Sequence, residues 1–427
     1  MKIKTKKVSY DFIESLEKTK HKRPKKPNIF FRTLIRLLSI PELAATRFKF
    51  SGEWKKRAGD GPYLILMNHS AFIDLEIAYR IFYPLPFCTI CTTDGFVGKS
   101  WLMRQIGCIP TNKFVTDLTL ITDMLHTVNK LNTSILMYPE AGYSFDGTAT
   151  VLPRGLGKLL KKMNVPVITV ITDGAFLRQP LYNCLIKRKT NITAQVKCLL
   201  TREEIKSKSI EEIDNMLDEV FSFDNFANQK KNGVRITEKR RAEGLERILY
   251  KCAACSSENT IKGSGTKITC SACGKSYEMT ELGELKADDG VTEFSHIPDW
   301  HSWERECVRN EIEKGEYSLD TEVEIAVLAD YKCLYLLGGG RLVHTMEGFT
   351  LTGCDGKLNY KHPFNASYGL NADYYWYELG DVICIGNRER LYYCFPKGDC
   401  NVTKVRLAAE EIYKLKRGCP TKVKMHK

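Results

Sequence analysis

The sequence predicts an α/β fold, a layered sheet with helices, followed by a small cysteine-bearing ribbon and a β-rich C-terminal domain. Apolar strand-like runs alternate with helix-like patterns over about residues 60–200. Two Cys-x2-Cys pairs follow, and residues 318–400 alternate Tyr, Val and Leu between Gly- and Asp-containing turns. The chain has 427 residues, which is longer than a single hydrophobic core usually accommodates, so we expect two or three domains.

The first domain, residues 51–200, is expected to contain a mostly parallel or mixed sheet. Strand-like runs lie near residues 63–67, 86–92, 107–110, 134–138, 166–171 and 192–200. Helix-like patterns lie near residues 74–82, 97–105, 117–130 and 155–163. Residues 201–250 are rich in Glu and Lys and are predicted to form a helical linker or lid.

The net positive charge of the chain is concentrated near the N-terminus. The chain has 64 Lys and Arg against 51 Asp and Glu, a net charge of +13, which suits either anionic lipid or nucleic acid. The first 30 residues hold about half of this excess, with basic side chains at Lys2, Lys4, Lys6, Lys7, Lys18, Lys20, Lys22, Arg23, Lys25 and Lys26 against Asp11, Glu14 and Glu17. We interpret this segment as a basic arm.

An apolar stretch at residues 29–40 follows the arm and places Arg32 and Arg36 one helical step apart. It is shorter than the ~20 apolar residues that a membrane span needs, and it has no small-residue signal cleavage site. Residues 1–50 are therefore predicted to form the arm and a membrane-interface helix, with its arginines at the lipid headgroups. This predicts a peripheral protein on the cytoplasmic face of the cell membrane. An ordinary amphipathic helix packed on the domain is the alternative.

The segment Asn-His-Ser-Ala-Phe-Ile-Asp at 68–74 places His69 on a predicted strand-to-helix turn. Ser70 is positioned to cap the helix, and Asp74 would lie in its first turn. A carboxylate on one imidazole nitrogen sets the tautomer and leaves the other nitrogen to accept a proton. His69 and Asp74 are therefore candidates for general-base catalysis on a hydroxyl.

Three further blocks follow in order: Gly-Cys-Ile-Pro-Thr-Asn-Lys at 107–113, Pro-Glu-Ala-Gly-Tyr-Ser at 139–144 and Val-Pro-Val at 165–167. Together with His69 and Asp74 they resemble the glycerolipid acyltransferase family, whose best-known members acylate lysophosphatidic acid. The resemblance covers about residues 60–200 and implies that fold. It also implies that His69 is the base, that Asp74 is its partner and that Glu140 binds the acceptor.

Two positions depart from the family pattern. Tyr143 stands where the third block commonly has an arginine, and Lys113 replaces an arginine in the second block, which keeps the charge without the bidentate fork. We expect the acceptor site to comprise Lys113, Glu140, Gly142 and Tyr143, with Arg154 as a second cation. Solvated surface charges at Lys113 and Arg154 are the alternative.

Cys252, Cys255, Cys270 and Cys273 form two Cys-x2-Cys knuckles separated by fourteen residues. This spacing suits tetrahedral Zn²⁺ held by four thiolates, so we predict a zinc ribbon at residues 251–290. Four protein ligands leave no open position, which makes the zinc structural. Four unrelated buried cysteines are the alternative. The remaining cysteines are expected to be reduced and mostly in the core.

Residues 291–427 are predicted to contain a helix that begins near Ile297, strands, and a last helix at about 402–416. Asp299 is the expected cap of the first helix. Several antiparallel strands followed by one helix are compatible with a pleckstrin-homology-like barrel. The knuckles, the Ile-Pro-Asp-Trp helix and this tail resemble a bacterial branch of the acyltransferase family that carries a C-terminal zinc ribbon.

The expected activity is transfer of a fatty acyl group from acyl-CoA or acyl carrier protein to the hydroxyl of a lysoglycerophospholipid such as 1-acyl-glycerol-3-phosphate. Backbone amides at 68–71 are the candidate oxyanion donors. The alternative is a non-catalytic lipid-binding or scaffolding protein that keeps the fold. Nucleic acid is not expected as a partner, because residues 252–273 carry only Lys262 and Lys267 as basic groups.

Overall fold

The structure is a computed structural model that describes residues 2–17, 19–115, 117–153 and 155–417. Within these ranges the strands form three sheets: a mixed sheet in the first α/β domain, a small sheet that includes part of the second cysteine knuckle, and an antiparallel sheet near the C-terminus. This arrangement confirms the predicted fold class.

The N-terminal segment is docked onto the rest of the protein. Its elements are β1 (Thr5–Lys7), α1 (Tyr10–Glu14), α2 (Ile29–Leu38) and α3 (Ile40–Ala45). Strand β1 pairs in parallel with Leu334–Leu336 of the C-terminal sheet. The guanidinium of Arg104 donates to the backbone carbonyls of Lys22 and Arg23 at 3.1 and 2.7 Å. The backbone of the predicted basic arm thus contacts both the first domain, through the Arg104 side chain, and the C-terminal sheet, through strand pairing.

Helix α2 presents its apolar side to solvent. Arg32 is buried and donates to the carbonyl of Pro84 at 2.9 Å, while burial lowers the pKa of the half-buried Arg36. The predicted orientation, with both arginines facing lipid headgroups, is therefore wrong. Exposed apolar side chains on α2 and at the start of α3 are Ile29, Phe30, Leu34, Leu37, Leu38 and Ile40. Among the described residues, no helix has the length and apolar character needed to span a bilayer.

The α/β domain alternates strands and helices as predicted. Its strands are β2 (Lys49–Ser51), β3 (Leu64–Met67), β4 (Phe87–Thr92), β5 (Cys108–Thr111), β6 (Ser134–Met137), β7 (Val167–Asp173) and β8 (Thr193–Leu200). Its helices are α4 (Trp54–Ala58), α5 (Ile73–Phe82), α6 (Ser100–Gln105), α7 (Leu118–Asn129), α8 (Leu156–Met163) and α9 (Ala175–Arg178). The strand order is β2-β8-β7-β3-β6-β4-β5, and β7–β8 is the antiparallel pair in an otherwise parallel sheet.

Strand β3 lies at the centre of this sheet, and all four of its side chains are buried. Ile65 and Met67 pack in one core cluster with α5, whereas Leu64 and Leu66 pack in a second cluster with α7 and α8. Helices cover both faces of a mostly parallel sheet, so its strands are continuous apolar runs and not alternating ones. The central position of β3 places the turn that follows it at the middle of the sheet edge.

Residues 201–250 are helical only up to Lys231. The helices are α10 (Arg202–Ser207), α11 (Ile210–Val220) and α12 (Asn225–Lys231), and α10 and α11 each begin with a capping box. After α12 the chain is mostly irregular, with one short 3-10 turn at Leu245–Arg247. It is nevertheless well packed, because Ile236, Leu249 and Tyr250 are fully buried.

The ribbon sheet contains β9 (Ile261–Ser264), β10 (Lys267–Cys270), β11 (Ser276–Met279) and β12 (Leu285–Ala287), all paired antiparallel. Helix α13 (Ile297–Glu313) follows. Its N-cap residue is His296, and Asp299 lies inside its first turn. The prediction that Asp299 caps this helix is therefore wrong, because Pro298 already occupies an early helical position before it.

The C-terminal sheet is antiparallel apart from its contact with β1. Its strands are β13 (Leu319–Leu328), β14 (Leu334–Thr345), β15 (Gly348–Gly353), β16 (Leu358–Pro363), β17 (Asn371–Trp376), β18 (Gly380–Gly386) and β19 (Leu391–Pro396), and α14 (Val402–Arg417) follows. The order is β16-β15-β14-β13-β19-β18-β17, so the first strand lies between the second and the last. Similarity to a pleckstrin-homology barrel stays a prediction.

Candidate active site

The turn that carries His69 joins β3 to α5 and is anchored by the residue before it. Asn68 is fully buried; its side-chain oxygen accepts from the Thr172 amide at 2.8 Å, and its side-chain nitrogen donates to the Thr172 carbonyl at 3.1 Å. These bonds tie the end of β3 to the neighbouring parallel strand β7. The chain therefore leaves the sheet in a defined direction at His69.

Asp74 holds this turn together. Its buried oxygen Oδ2 lies 3.0 Å from His69 Nδ1 and accepts from the Ser70 and Ala71 amides at 2.7 and 3.0 Å. The prediction that Ser70 caps α5 is wrong: the Ser70 hydroxyl is buried without a hydrogen-bond partner, and Phe72 is the N-cap residue. The carboxylate satisfies free amides at the helix start because Asp74, in the first turn, reaches back over them.

The imidazole of His69 is held between a carboxylate and aromatic rings. The Tyr138 ring stacks on it at a centroid distance of 3.8 Å and an angle of 19°, and the Tyr143 ring lies at 4.2 Å and 38°. Burial lowers the pKa of His69, Asp74 opposes this shift, and nearby Lys113 adds to it. The imidazole is therefore neutral around pH 7. With Nδ1 engaged by Asp74, Nε2 is the nitrogen left to accept a proton.

Glu140 links the third block to the same turn. Its side chain is buried; Oε2 accepts from the His69 amide at 3.0 Å, and Oε1 accepts from the amide and hydroxyl of Thr150 at 2.9 and 3.0 Å. Burial raises its pKa to about 7, although these donors favour the charged form. In this structure Glu140 positions His69, and the predicted contact with the acceptor stays a prediction.

The backbone amides at 68–71 are already engaged, so they do not form the predicted oxyanion hole. The Asn68 amide donates to the Val170 carbonyl at 3.3 Å, the His69 amide to Glu140, and the next two amides to Asp74. Two buried hydroxyls near the imidazole, those of Ser70 and Tyr138, lack a hydrogen-bond partner in the described structure. Both hydroxyls are therefore candidate donors to an oxyanion.

The other predicted acceptor residues lie on two neighbouring loops. Lys113 follows β5, is half-buried, and is close enough to His69 to affect its pKa. Gly142 precedes Tyr143, and a Cβ atom added there would meet nothing within 4 Å. Arg154 lies outside the described residues. The structure therefore brings His69, Asp74, Lys113, Glu140 and Tyr143 to one edge of the sheet.

Sequence reasoning missed three contributors to this site. Asn68 and Tyr138 each end or directly follow a buried strand, and a polar group at a strand end is a signal that could have found them. Asp373 of β17 interacts electrostatically with both Lys113 and Tyr143. It lies far along the chain in another domain, so no local pattern could connect it with His69.

The four knuckle cysteines form a cluster that could hold a metal ion. Their sulfur atoms all lie within 4.8 Å of one another; Cys252 and Cys273 are 3.9 Å apart, and Cys255 and Cys270 are 3.7 Å apart. Four thiolates about 2.3 Å from a tetrahedral Zn²⁺ would be separated by roughly 3.8 Å. The donor set and its spacing fit zinc and leave no ligand position for a substrate.

Residues 47–173 match the family model described as Acyltransferase, and this segment contains His69, Asp74 and Glu140. This segment is therefore similar to acyltransferase-family domains. The chain is similar to the 1-acyl-sn-glycerol-3-phosphate acyltransferase of Saccharomyces cerevisiae, with 24% identity over 169 residues that cover 37% of this chain and 54% of that protein. It thus spans about half the length of this curated relative.

Among solved structures, the chain is similar to the crystal structure of the 1-acyl-sn-glycerophosphate (LPA) acyltransferase PlsC from Thermotoga maritima. The TM-score is 0.34 at 16% identity, and the match covers 45% of this chain and 77% of that one. The predicted place in a bacterial, ribbon-carrying branch of the family stays a prediction.

Proposed function

We propose that this protein is an O-acyltransferase that moves a fatty acyl group from acyl-CoA or acyl carrier protein to a hydroxyl of a lysoglycerophospholipid. The observation that carries the proposal is the contact of His69 Nδ1 with the buried Asp74 carboxylate at 3.0 Å, which leaves Nε2 as a base. The match of residues 47–173 to an acyltransferase family supports the same reaction class.

In this mechanism His69 Nε2 removes the proton of the acceptor hydroxyl. The hydroxyl oxygen then forms a bond to the thioester carbonyl carbon, while Asp74 stabilises the imidazolium. The tetrahedral intermediate collapses with cleavage of the carbon–sulfur bond, and the thiol leaves with the proton from His69. The unpartnered hydroxyl of Tyr138, whose ring stacks on the imidazole, is the proposed donor to the oxyanion.

The cationic group proposed for the acceptor phosphate is Lys113. A buried anion needs a cation or several amide donors, and Tyr143 offers a hydroxyl without charge. Lys113 lies near His69 and carries no ion pair with a partner in the described residues. The cysteine cluster, as a structural zinc site, would contribute folding free energy and no chemical step.

A membrane surface is the proposed source of the acceptor. The apolar side of α2 continues onto α6, because the rings of Phe31 and Trp101 are in edge contact at 5.8 Å and Trp101 is 66% exposed. Exposed tryptophan and apolar side chains on neighbouring helices are typical of proteins that lie in the membrane interface. We propose peripheral binding to the cytoplasmic face of the cell membrane.

The test measures acylation of lysophospholipids by the purified full chain with palmitoyl-CoA, and the release of free thiol reports the turnover. His69→Ala should lower turnover by about 10²–10⁴-fold. His21→Ala is the matched control. The His21 imidazole also contacts an aspartate, Asp123, at 2.9 Å, but this pair is not part of the proposed active site. Equal turnover in wild type and His69→Ala would contradict the proposal; no turnover with vesicle binding retained would favour a non-catalytic lipid-binding protein.

A further inference from the structure

The C-terminal sheet packs with one face against the loops that carry the proposed acceptor residues. On that face, Trp376 and Val382 belong to a core cluster that also contains Val97, with Val115 packed against it. The side chain of Asn112 donates to the Asn387 carbonyl at 3.1 Å. Two segments of the α/β domain, around residues 94–98 and 112–115, are therefore covered by this sheet.

Strand β17 also contacts Phe145, the residue that directly follows the third block. The rings of Phe145 and Tyr374 lie 4.4 Å apart at an angle of 36°, and both side chains are buried. Tyr143 packs against the same core cluster as Tyr374. The C-terminal sheet thus reaches the loop whose tyrosine lies on the His69 imidazole.

Asp373 directly precedes Tyr374 on β17, so the two side chains lie on opposite faces of the sheet. It is paired with Val382 of β18, so the two side chains share the face of the sheet that covers the α/β domain. Asp373 is half-buried, and burial raises its pKa to about 6 while Lys113 opposes that shift and Asp94 adds to it. The carboxylate is therefore mostly charged at neutral pH and interacts electrostatically with both Lys113 and Asp94.

We infer that Asp373 binds the acceptor headgroup, and that the acceptor is a lysophospholipid with a phosphodiester headgroup bearing a hydroxyl or amine. This inference rests on the proposed function. Lys113 would bind the phosphodiester, and Asp373 would accept a hydrogen bond from the hydroxyl or amine of the headgroup. The C-terminal sheet would then form one wall of the acceptor site.

Charge decides between a phosphodiester and a phosphate monoester. A monoester carries up to two negative charges and would lie beside the Asp373 and Asp94 carboxylates, where like charges repel strongly in a partly dry site. Tyr143 supplies no positive charge to offset them. A phosphodiester carries a single charge, which Lys113 matches, and a hydroxyl or ammonium donor beyond it gains a charge-assisted hydrogen bond to Asp373.

The experiment compares three acceptors with palmitoyl-CoA and the full chain. Lysophosphatidylglycerol has a phosphodiester and a hydroxyl donor, lysophosphatidylcholine has a phosphodiester without a donor, and lysophosphatidate is a monoester. Wild type should prefer lysophosphatidylglycerol. Asp373→Asn should lower kcat/KM for that acceptor about tenfold or more, mainly through KM, and should leave lysophosphatidate unchanged or raised. Asp355→Asn, on an exposed turn of the same domain, is the control.

An equal loss on all three acceptors, or no change, would overturn the inference. A second measurement separates it from the proposed function: binding of glycerophosphoglycerol and glycerol 3-phosphate to His69→Ala with and without Asp373→Asn. If Asp373→Asn removes binding of glycerophosphoglycerol but not of glycerol 3-phosphate, the acceptor role of Asp373 is supported, even if no acyl transfer is found. Binding of both compounds that is insensitive to Asp373→Asn overturns it, even if acyl transfer by wild type is measured.

Discussion

The carboxylate of Glu140 accepts a hydrogen bond from the backbone amide of His69 at 3.0 Å, which joins the loop after β6 to the turn after β3. The neighbouring Ser144 amide donates back to the His69 carbonyl at 3.1 Å. The peptide of His69 is therefore held on both sides by the third block. In this arrangement Glu140 acts on the position of the base, and its own ionisation is linked to the stability of the turn.

Replacing Glu140 with glutamine should change how stability depends on pH. The pKa of Glu140 is about 7 in the fold against an ordinary 4.5, so its stabilising contribution is complete below pH 4.5 and is lost as pH rises through 7. Glutamine does not titrate. The deficit in unfolding free energy of Glu140→Gln relative to wild type should therefore be largest near pH 5 and smaller at pH 8, measured by urea unfolding. Glu316→Gln, exposed, is the control; a deficit independent of pH would contradict the prediction.

The acidic limb of the activity profile should lie below pH 6.5. Burial lowers the pKa of His69, so the neutral base persists to lower pH than an ordinary histidine allows. Asp74 opposes that shift, so Asp74→Asn should move the limb of kcat/KM further down and lower its plateau by about 10²-fold or more. A limb that moves upward in Asp74→Asn would show that the titrating group is not His69.

Tyr138→Phe tests the proposed oxyanion donor. Its hydroxyl is buried without a protein hydrogen-bond partner in the described structure, so its removal should leave the unfolding free energy nearly unchanged or slightly higher. Loss of an oxyanion donor should lower kcat by about 10²-fold with little effect on KM. Tyr413→Phe on α14 is the control. Wild-type kcat in Tyr138→Phe would assign the oxyanion to another group.

Metal analysis of the purified protein should find one zinc per chain. Cys252→Ser should lose the metal and lower the thermal midpoint, because structural zinc contributes folding free energy directly. The turnover of the protein that remains folded should not change. Cys354→Ser, at a half-buried cysteine outside the cluster, should keep both metal and stability. Absence of zinc together with four freely reactive knuckle thiols would exclude the site.

Vesicle binding should depend on the exposed apolar face of α2. Phe30 and Leu38 are 64% and 69% exposed, and burying each in a membrane should strengthen binding about tenfold or more. Phe30→Ser and Leu38→Ser should each weaken sedimentation with anionic vesicles accordingly. Val291→Ser, 65% exposed beyond β12, is the control. Point variants are needed because deletion of the N-terminal segment would also remove β1 from the C-terminal sheet.

Two corrections concern caps at a helix start. Ser70 and Asp299 are predicted as caps from residue type, because short polar side chains are generally favoured there. In the structure Phe72 and His296 are the N-cap residues, and Asp74 accepts from the Ser70 and Ala71 amides, two of the donors predicted for the oxyanion. Which of several suitable groups satisfies a given amide depends on side-chain directions that residue types alone do not specify.

The same holds for the orientation of α2. Its sequence shows both arginines and apolar residues, and an amphipathic pattern alone does not say which side faces the protein. The carbonyl of Pro84 receives Arg32, so the charged side packs inward and the apolar side remains exposed. That outcome depends on an acceptor supplied by the end of α5, about fifty positions away in the chain.

By itself the sequence determined the features that depend on neighbours along the chain. The alternation of apolar runs and helical patterns set the α/β layers, the short spacing from His69 to Asp74 allowed their contact, and the knuckle spacing set the cysteine cluster. Only the tertiary structure decided that β1 completes the C-terminal sheet and that Asp373 approaches Lys113. Such contacts join distant segments, and their geometry results from the packing of whole domains, which no local pattern encodes.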